Sequence, residues 1–260
     1  MNTNNVLKQH PLIEAELADN TNPFISVDCV IFGFDFEKLN VLLVERCLED
    51  ENGELVFRDH SLVGHHIRTN ESLDDAAARV LLKTTGLKDI YLEQFHVFGS
   101  PERLKKERAQ QWLKYLGRDP EQRVVTVGYF SLVNTNAVHV SYTEKHAGWF
   151  DINEVGVLAF DHNEILNKGL EALRRKIKTE PIAFELLPPK FTLTQLQKLY
   201  EVILGKEIDK RNFRKKAQQA NYVVALNEKQ KDVSHKPAQL FMFSRDIYEA
   251  TKKEDFSFNL

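Results

Sequence analysis

An α+β fold in two parts is what this 260-residue sequence predicts, and three patterns carry the prediction. Apolar, β-branched runs fill the first half, beginning with Phe24–Phe34 (FISVDCVIFGF) and Leu39–Cys47 (LNVLLVERC). Between such runs lies Leu62–Leu87, read as a strand end, a Gly-containing loop and a capped helix. Beyond Pro181 the period changes to helical, followed by a short alternating hairpin. Runs of period two and of period 3.6 in separate halves mark a sheet part and a helical part.

In chain order, residues 1–23 read as an irregular or partly helical lead-in. The polar Asp35–Lys38 separates the first two strands as a hairpin turn, and Glu49–Asn52 is a second turn. Leu55–Phe57 and Ser61–Val63 lead into the loop. Ser72 with Asp75 forms an S-x-x-D signature in which both side chains satisfy N–H groups of the first helical turn. Ala76, Ala77 and Ala78 favour helix, and Gly86 stops it by entering the left-handed region. A strand follows over Ile90–Phe98, then a charged helix over Glu102–Leu116 that reads as an insertion, with Trp112 and Tyr115 on one side. Arg123–Val133 alternates strongly and is expected as a central strand; Val138–Tyr142 and Ala147–Phe150 are shorter ones. Trp149 and Phe150 are read as core. Ile165–Ile177 is amphipathic and closes or leaves this part.

In the second part, Thr192–Gly205 is a helix with a Thr192/Gln195 capping box and Gly205 as its stop. Leu193, Leu196, Leu199, Tyr200 and Ile203 share one face. Asp209 caps a second helix, Lys210–Ala220, with Phe213 and Ala217 as its inner side. Tyr222–Leu226 and Gln239–Phe243 then alternate as a hairpin. This is the plan of a winged helix-turn-helix, and the boundaries read as 1–160, 161–189 (a helical connection) and 190–260.

Charge separates the same two parts. From Lys190 to Lys236 there are 11 Lys and Arg against 5 Asp and Glu; with a whole-chain charge of −3, the segment is +6 and the remainder −9. A basic segment on an acidic body points to a polyanion for that segment alone. Lys210, Arg211, Arg214 and Lys215 suit phosphates and guanine edges, Asn212 suits adenine, and Lys229, Lys231 and Lys236 lie in the hairpin tip. These eight residues are the expected DNA contacts. No stretch reaches the roughly 20 apolar residues of a membrane span, and the polar N-terminus does not resemble a signal peptide, so a cytoplasmic protein is expected. Cys29 and Cys47 sit in apolar runs and read as buried free thiols in a reducing compartment.

The stretch ending at Gly86 resembles the Nudix box, a glycine, a glutamate and an Arg-Glu-x-x-Glu-Glu-x-Gly run. The matching positions hold His65, Glu71, Arg79, Val80, Lys83, Thr84 and Gly86. Glu71 and Arg79 are expected to pair and join loop to helix. The three positions that would offer carboxylates to Mg²⁺ carry an apolar group, an ammonium and a hydroxyl, so repulsion opposes a dication there. No metal, no cofactor and no catalytic residue are therefore expected.

From about Ile25 to Val224 the phrases LNVLLVER, RDPEQRVVTVGYFSL and PPKFTLTQLQKLYEVILGKEIDKRNFRKK resemble, in order, the Nudix-related transcriptional regulators of the NrtR type. The resemblance implies a Nudix-like effector part with a winged helix behind it, in a cytoplasmic homodimer that binds operator DNA and answers to a small molecule. Within it, one branch answers to ADP-ribose and another, the AraR type, to L-arabinose. His65 in place of the box glycine favours a polyol, so the expectation is a repressor released by L-arabinose, with an ADP-ribose regulator of NAD metabolism, or an active Nudix hydrolase, as alternatives. His65, His66, Arg68, Arg123 and Tyr129 are the expected effector contacts.

Overall fold

The computed structural model describes residues 20–49, 54–135, 147–231, 233–234 and 236–251. The lead-in before residue 20 and the Val138–Tyr142 strand lie outside the described residues. Seven strands make one mixed sheet: β1 (Thr21–Phe34), β2 (Leu39–Glu49), β3 (Leu55–Ser61), β4 (Val63–Arg68), β5 (Tyr91–Phe98), β6 (Val125–Asn134) and β7 (Ala147–Asp151). Their path runs β3-β2-β1-β6-β5, with β4 on β1 and β7 on β2. Among the described strands only β1 and β6 pair in parallel, in unbroken register from Ile25↔Val125 to Phe34↔Asn134. This places β6 inside the sheet between β1 and β5, where Thr126–Val133 are buried without a break, as expected of a strand covered on both faces.

Helix α1 (Leu73–Thr85) covers one face. Its buried Ala76, Ala77, Val80 and Leu81 pack on Val27, Cys29, Ile31, Val127 and Tyr129. Ser72 and Asp75 form the reciprocal capping box, and Gly86 ends the helix at φ 72°. Helix α2 (Glu107–Tyr115) is shorter than the sequence suggested, because Pro101–Leu104 forms turns instead. It buries Ala109, Trp112 and Leu113, while Tyr115 faces out at 47% exposure, so Trp112 and Tyr115 do not share a side. Helix α3 (His162–Lys176) lies on the other face of the sheet.

A 3₁₀ turn (Pro181–Leu186) leads into α4 (Leu193–Leu204), α5 (Lys210–Gln219), the hairpin β8 (Val223–Lys229) and β9 (Gln239–Phe243), and a last helix α6 (Arg245–Thr251). Thr192 and Gln195 cap α4 reciprocally, Gly205 closes it at φ 66°, and Asp209 accepts from Asn212 N to start α5. Tyr200 meets Phe213 with ring centroids 6.0 Å apart, and Leu196, Leu199, Ile203, Phe213 and Ala217 are fully buried. This is a winged helix-turn-helix, with Phe191 adding a bridge to Phe241 of the wing. One continuous apolar cluster joins Val30, Phe32 and Phe130 of the sheet to Leu173 of α3 and to the winged-helix interior. Phe150 is half-buried at its border and Trp149 against the separate cluster under α1, Cys29 is buried and Cys47 is only partly so.

Candidate functional site

The Nudix-box stretch holds together as a lattice of side-chain bonds. Arg79 donates Nε to Glu71 Oε2 at 2.9 Å and Nη2 to Oε1 at 2.5 Å, while Arg68 N donates to the same Oε1 at 2.7 Å. Arg79 also reaches the His66 carbonyl at 3.2 Å. Arg79 thereby holds the Glu71 carboxyl below its usual range. His65 and His66, expected on a loop, are instead in strand β4, opposite Val27 and Ser26 of β1. The pairing partner is some forty positions away in sequence, so local pattern did not reveal the strand.

No divalent-metal site is built here. Val80 brings no donor, Lys83 brings a positive charge, and the buried Thr84 hydroxyl donates to Val80 O at 2.9 Å. The nearby carboxylates are spent as well: Glu71 on Arg79, Asp75 on the Ser72 cap, and Asp74 on the Tyr129 hydroxyl at 2.6 Å. Among the described residues no trio of His, Cys, Asp or Glu is arranged to hold an ion. These residues do not fit the Mg²⁺ of a Nudix hydrolase.

Beside α1 opens a cavity of about 320 Å³, within the usual range of roughly 300–1,000 Å³ for small-molecule sites. Its walls come from β1 (Ser26, Asp28), β4 (Gly64, His65, His66), Lys83 of α1, the insertion (Arg103, Trp112, Leu113), Arg118 just beyond it, and Phe160 and His162. Arg46 of β2 is bidentate on Asp59, at 2.7 and 2.6 Å, and its guanidinium lies 4.2 Å from the Trp112 ring centroid and 4.6 Å from that of Phe160. This sandwich staples the insertion to the sheet. Arg103 is bidentate on Asp161 at 2.9 Å for both bonds and lies 3.7 Å from Asp28. Lys83, Arg46, Arg103 and Arg118 line the cavity with Asp28, and since Arg46 and Arg103 are paired with Asp59 and Asp161 the cavity keeps a small positive excess, to which Lys83 contributes.

The histidines are set as neutral donors and acceptors. His66 Nδ1 meets the Ile25 carbonyl at 3.2 Å and so carries the proton, leaving Nε2 to accept from Arg118 at 2.7 Å. His162 Nδ1 accepts from Leu62 N at 2.9 Å, which leaves its proton on Nε2, 3.6 Å from Asp28 Oδ1. Burial lowers the pKa of His65, of His66 and of the fully buried His162. Of the expected effector contacts, His65 and His66 line the cavity and the other three do not. Arg68 is the last residue of β4, opposite Thr21 of β1, exposed Arg123 donates to Gly99 O at 2.8 Å, and Tyr129 is buried against α1. Sequence reading missed Asp28, Arg46, Arg103, Arg118 and His162; Lys83 was visible there only as a missing metal ligand.

A second surface is basic. Lys210, Arg211, Asn212, Arg214 and Lys215 are all exposed on α5, and Lys229, Lys231 and Lys236 are exposed on the wing. Arg214 Nη2 also reaches Thr194 Oγ1 at 3.4 Å, and Lys190 pairs with Glu228, joining the wing to the entry of α4.

Comparisons with known proteins agree with this architecture. Residues 22–173 match the NUDIX domain family, and residues 183–243 match the NrtR DNA-binding winged helix domain. An Acinetobacter baylyi protein named ADPR responsive transcriptional repressor NtrR is 30% identical over 242 residues, 92% of this chain and 89% of its own. The chain belongs to the NrtR family. It is a DNA-binding transcriptional regulator with a Nudix domain. The Shewanella oneidensis NrtR crystal structure complexed with a 27mer DNA is 27% identical with TM-score 0.68, covering 86% of this chain and 95% of that one. A Methanocaldococcus jannaschii ADP-ribose pyrophosphatase is 26% identical over 146 residues, 56% of this chain and 72% of its own. No described helix of this NrtR-family chain is long and apolar enough to cross a membrane.

Proposed function

We propose that this chain is a repressor whose hold on operator DNA is set by ADP-ribose bound in the cationic cavity. The observation that carries this reading is charge. Four cationic side chains line the cavity against Asp28 and the paired Asp59 and Asp161, and this positive excess suits a diphosphate and gives no advantage to a neutral sugar. The A. baylyi relative, named as ADPR-responsive, supports the same effector. The sequence expectation of L-arabinose rested on His65 replacing a glycine; His65 is one residue of a wall that also carries Lys83, Arg46, Arg103 and Arg118, which a neutral sugar does not use.

In this reading residues 1–160 hold the effector, 161–189 connect, and 190–260 bind DNA. The Nudix part senses and does not hydrolyse, because the metal face is absent. Lys210, Arg211, Asn212, Arg214 and Lys215 enter the major groove, and Lys229, Lys231 and Lys236 of the wing meet backbone phosphate. A homodimer reads two half-sites, since one recognition helix buries too little DNA for high specificity. The test is a duplex-binding titration with ADP-ribose, with L-arabinose, and with neither. ADP-ribose alone is expected to weaken the complex; a response to arabinose alone overturns the effector assignment.

A further inference from the structure

The face of α1 that carries metal ligands in the Nudix-box pattern carries an ammonium here, and that ammonium lines the cavity. Resting on the reading of ADP-ribose as effector, we infer that the cavity holds the diphosphate without a divalent ion, with Lys83 and Arg118 as its direct counter-charges. A diphosphate diester is a dianion, and two side-chain cations balance it as a metal would elsewhere. A dication in the same place meets Lys83 and Arg118 instead of carboxylates, and the three nearby acids are occupied by Arg79, the Ser72 cap and Tyr129.

The geometry around the two cations is prepared for this. Arg118 Nη1 donates to Nε2 of the neutral His66 ring at 2.7 Å, which orients the guanidinium in the cavity wall. The field of Lys83 reaches His65, where it adds to burial in keeping the ring neutral. His65 Nδ1 is directed at the His66 carbonyl, 2.9 Å away, which fixes its tautomer and leaves an Nε2 lone pair to accept from a ribose hydroxyl. The insertion is thus a part of the site: Trp112 anchors it through Arg46, and Gly117, at φ 68°, turns the chain to bring in Arg118.

Calorimetric titration of the full chain with ADP-ribose and with inorganic pyrophosphate, each in EDTA and in excess Mg²⁺, tests the inference. Wild-type affinity for ADP-ribose is expected to be equal in the two buffers, and that for pyrophosphate to fall in excess Mg²⁺, which complexes the free anion in solution. Lys83→Gln and Arg118→Gln are each expected to weaken both ligands by about tenfold or more, the scale of one charge-assisted contact, with Lys83→Arg recovering most of the loss. Thermal melting of each variant confirms that the fold is retained. ADP-ribose binding that requires Mg²⁺, or that Lys83→Gln leaves unchanged, overturns the metal-free clamp and leaves the effector assignment standing. Pyrophosphate bound in EDTA and sensitive to Lys83→Gln, with no binding of ADP-ribose, keeps the clamp and overturns the effector. Binding of neither ligand overturns both.

Discussion

Arg174 Nε, in the last turns of α3, donates to the carbonyl of Ile203 at 2.7 Å. Ile203 lies at the C-terminal end of α4, where carbonyls have no partner within the helix, and a guanidinium there also complements the negative end of the helix dipole. The other end of α3 begins with His162 in the cavity wall, and its cap residue Asp161 is held by Arg103. One helix therefore touches both the effector cavity and the helix-turn-helix. Arg174→Ala is expected to lower unfolding free energy by about 1–2 kcal/mol, as loss of a charged donor to a part-buried carbonyl does. It is also expected to blunt the effect of ADP-ribose on operator affinity while leaving effector binding intact. Urea denaturation and paired titrations measure the two effects, and an unchanged response in the variant would sink the idea that α3 couples the sites.

Gly64 faces a close approach. A Cβ built there would stand 2.1 Å from Asp28 Oδ1 and 2.8 Å from Val27 O. Gly64→Ala must push the β4 backbone off β1 or displace Asp28, which faces Arg103 and His162 in the cavity. The expected cost is about 1–3 kcal/mol of stability, the range for overpacking, with weaker ADP-ribose binding. Circular dichroism melting together with calorimetry checks both; a variant as stable as wild type would show that Asp28 moves freely.

The pH dependence follows from three histidines held neutral by burial. For His162 burial outweighs the attraction of Asp28 and Asp161, and Arg46 and Arg103 add to it. For His66 burial outweighs the Ile25 bond and Asp28, and Arg103 adds to it. For His65 burial is joined by Arg79, Lys83 and His66. A folded pKa below the unfolded one means that the unfolded chain binds more protons in between. Stability is therefore full above the ordinary histidine value, near 6.5, and is lost as pH falls through the lowered values. Urea midpoints are expected to drop between about pH 7 and pH 5. His162→Asn, whose side-chain oxygen still accepts from Leu62 N but cannot take up a proton, is expected to show a shallower drop. An equal slope would remove His162 from the account.

What the sequence made legible is what short-range chemistry decides. The Ser72/Asp75 and Thr192/Gln195 caps, the Asp209 cap and the stops at Gly86 and Gly205 all appear where their spacing placed them. So does the Glu71–Arg79 pair. The cavity was not legible, because Asp28, Arg46, Lys83 and His162 come from four separate elements and Arg103 and Arg118 from the loops between others, and they meet only through the sheet order. Tyr129 and Arg123 show the same limit: near one another in sequence at β6, one is buried against α1 and the other is exposed beside Gly99.

The recognition helix yields the last expectation. Asp209 fixes the first turn of α5 by accepting from Asn212 N at 2.8 Å, and Phe213 and Ala217 are fully buried, so the opposite side of the helix must face out. That side carries Lys210, Arg211, Arg214 and Lys215 with Asn212 among them. Asn212 is short and uncharged, a match for an adenine edge, and Lys215 is a point charge suited to a phosphate. Asn212→Ala is expected to cost roughly 1–3 kcal/mol and to relax preference at one base pair. Lys215→Ala is expected to weaken all duplexes alike and to lower the slope of log affinity against log salt by about one unit. Arg214→Ala should do the same, and because Arg214 also reaches Thr194 it should cost a little stability that Lys215→Ala does not. Fluorescence anisotropy on operator and scrambled duplexes over a salt series separates these outcomes. If Asn212→Ala and Lys215→Ala both leave binding intact, α5 is not the element that reads DNA.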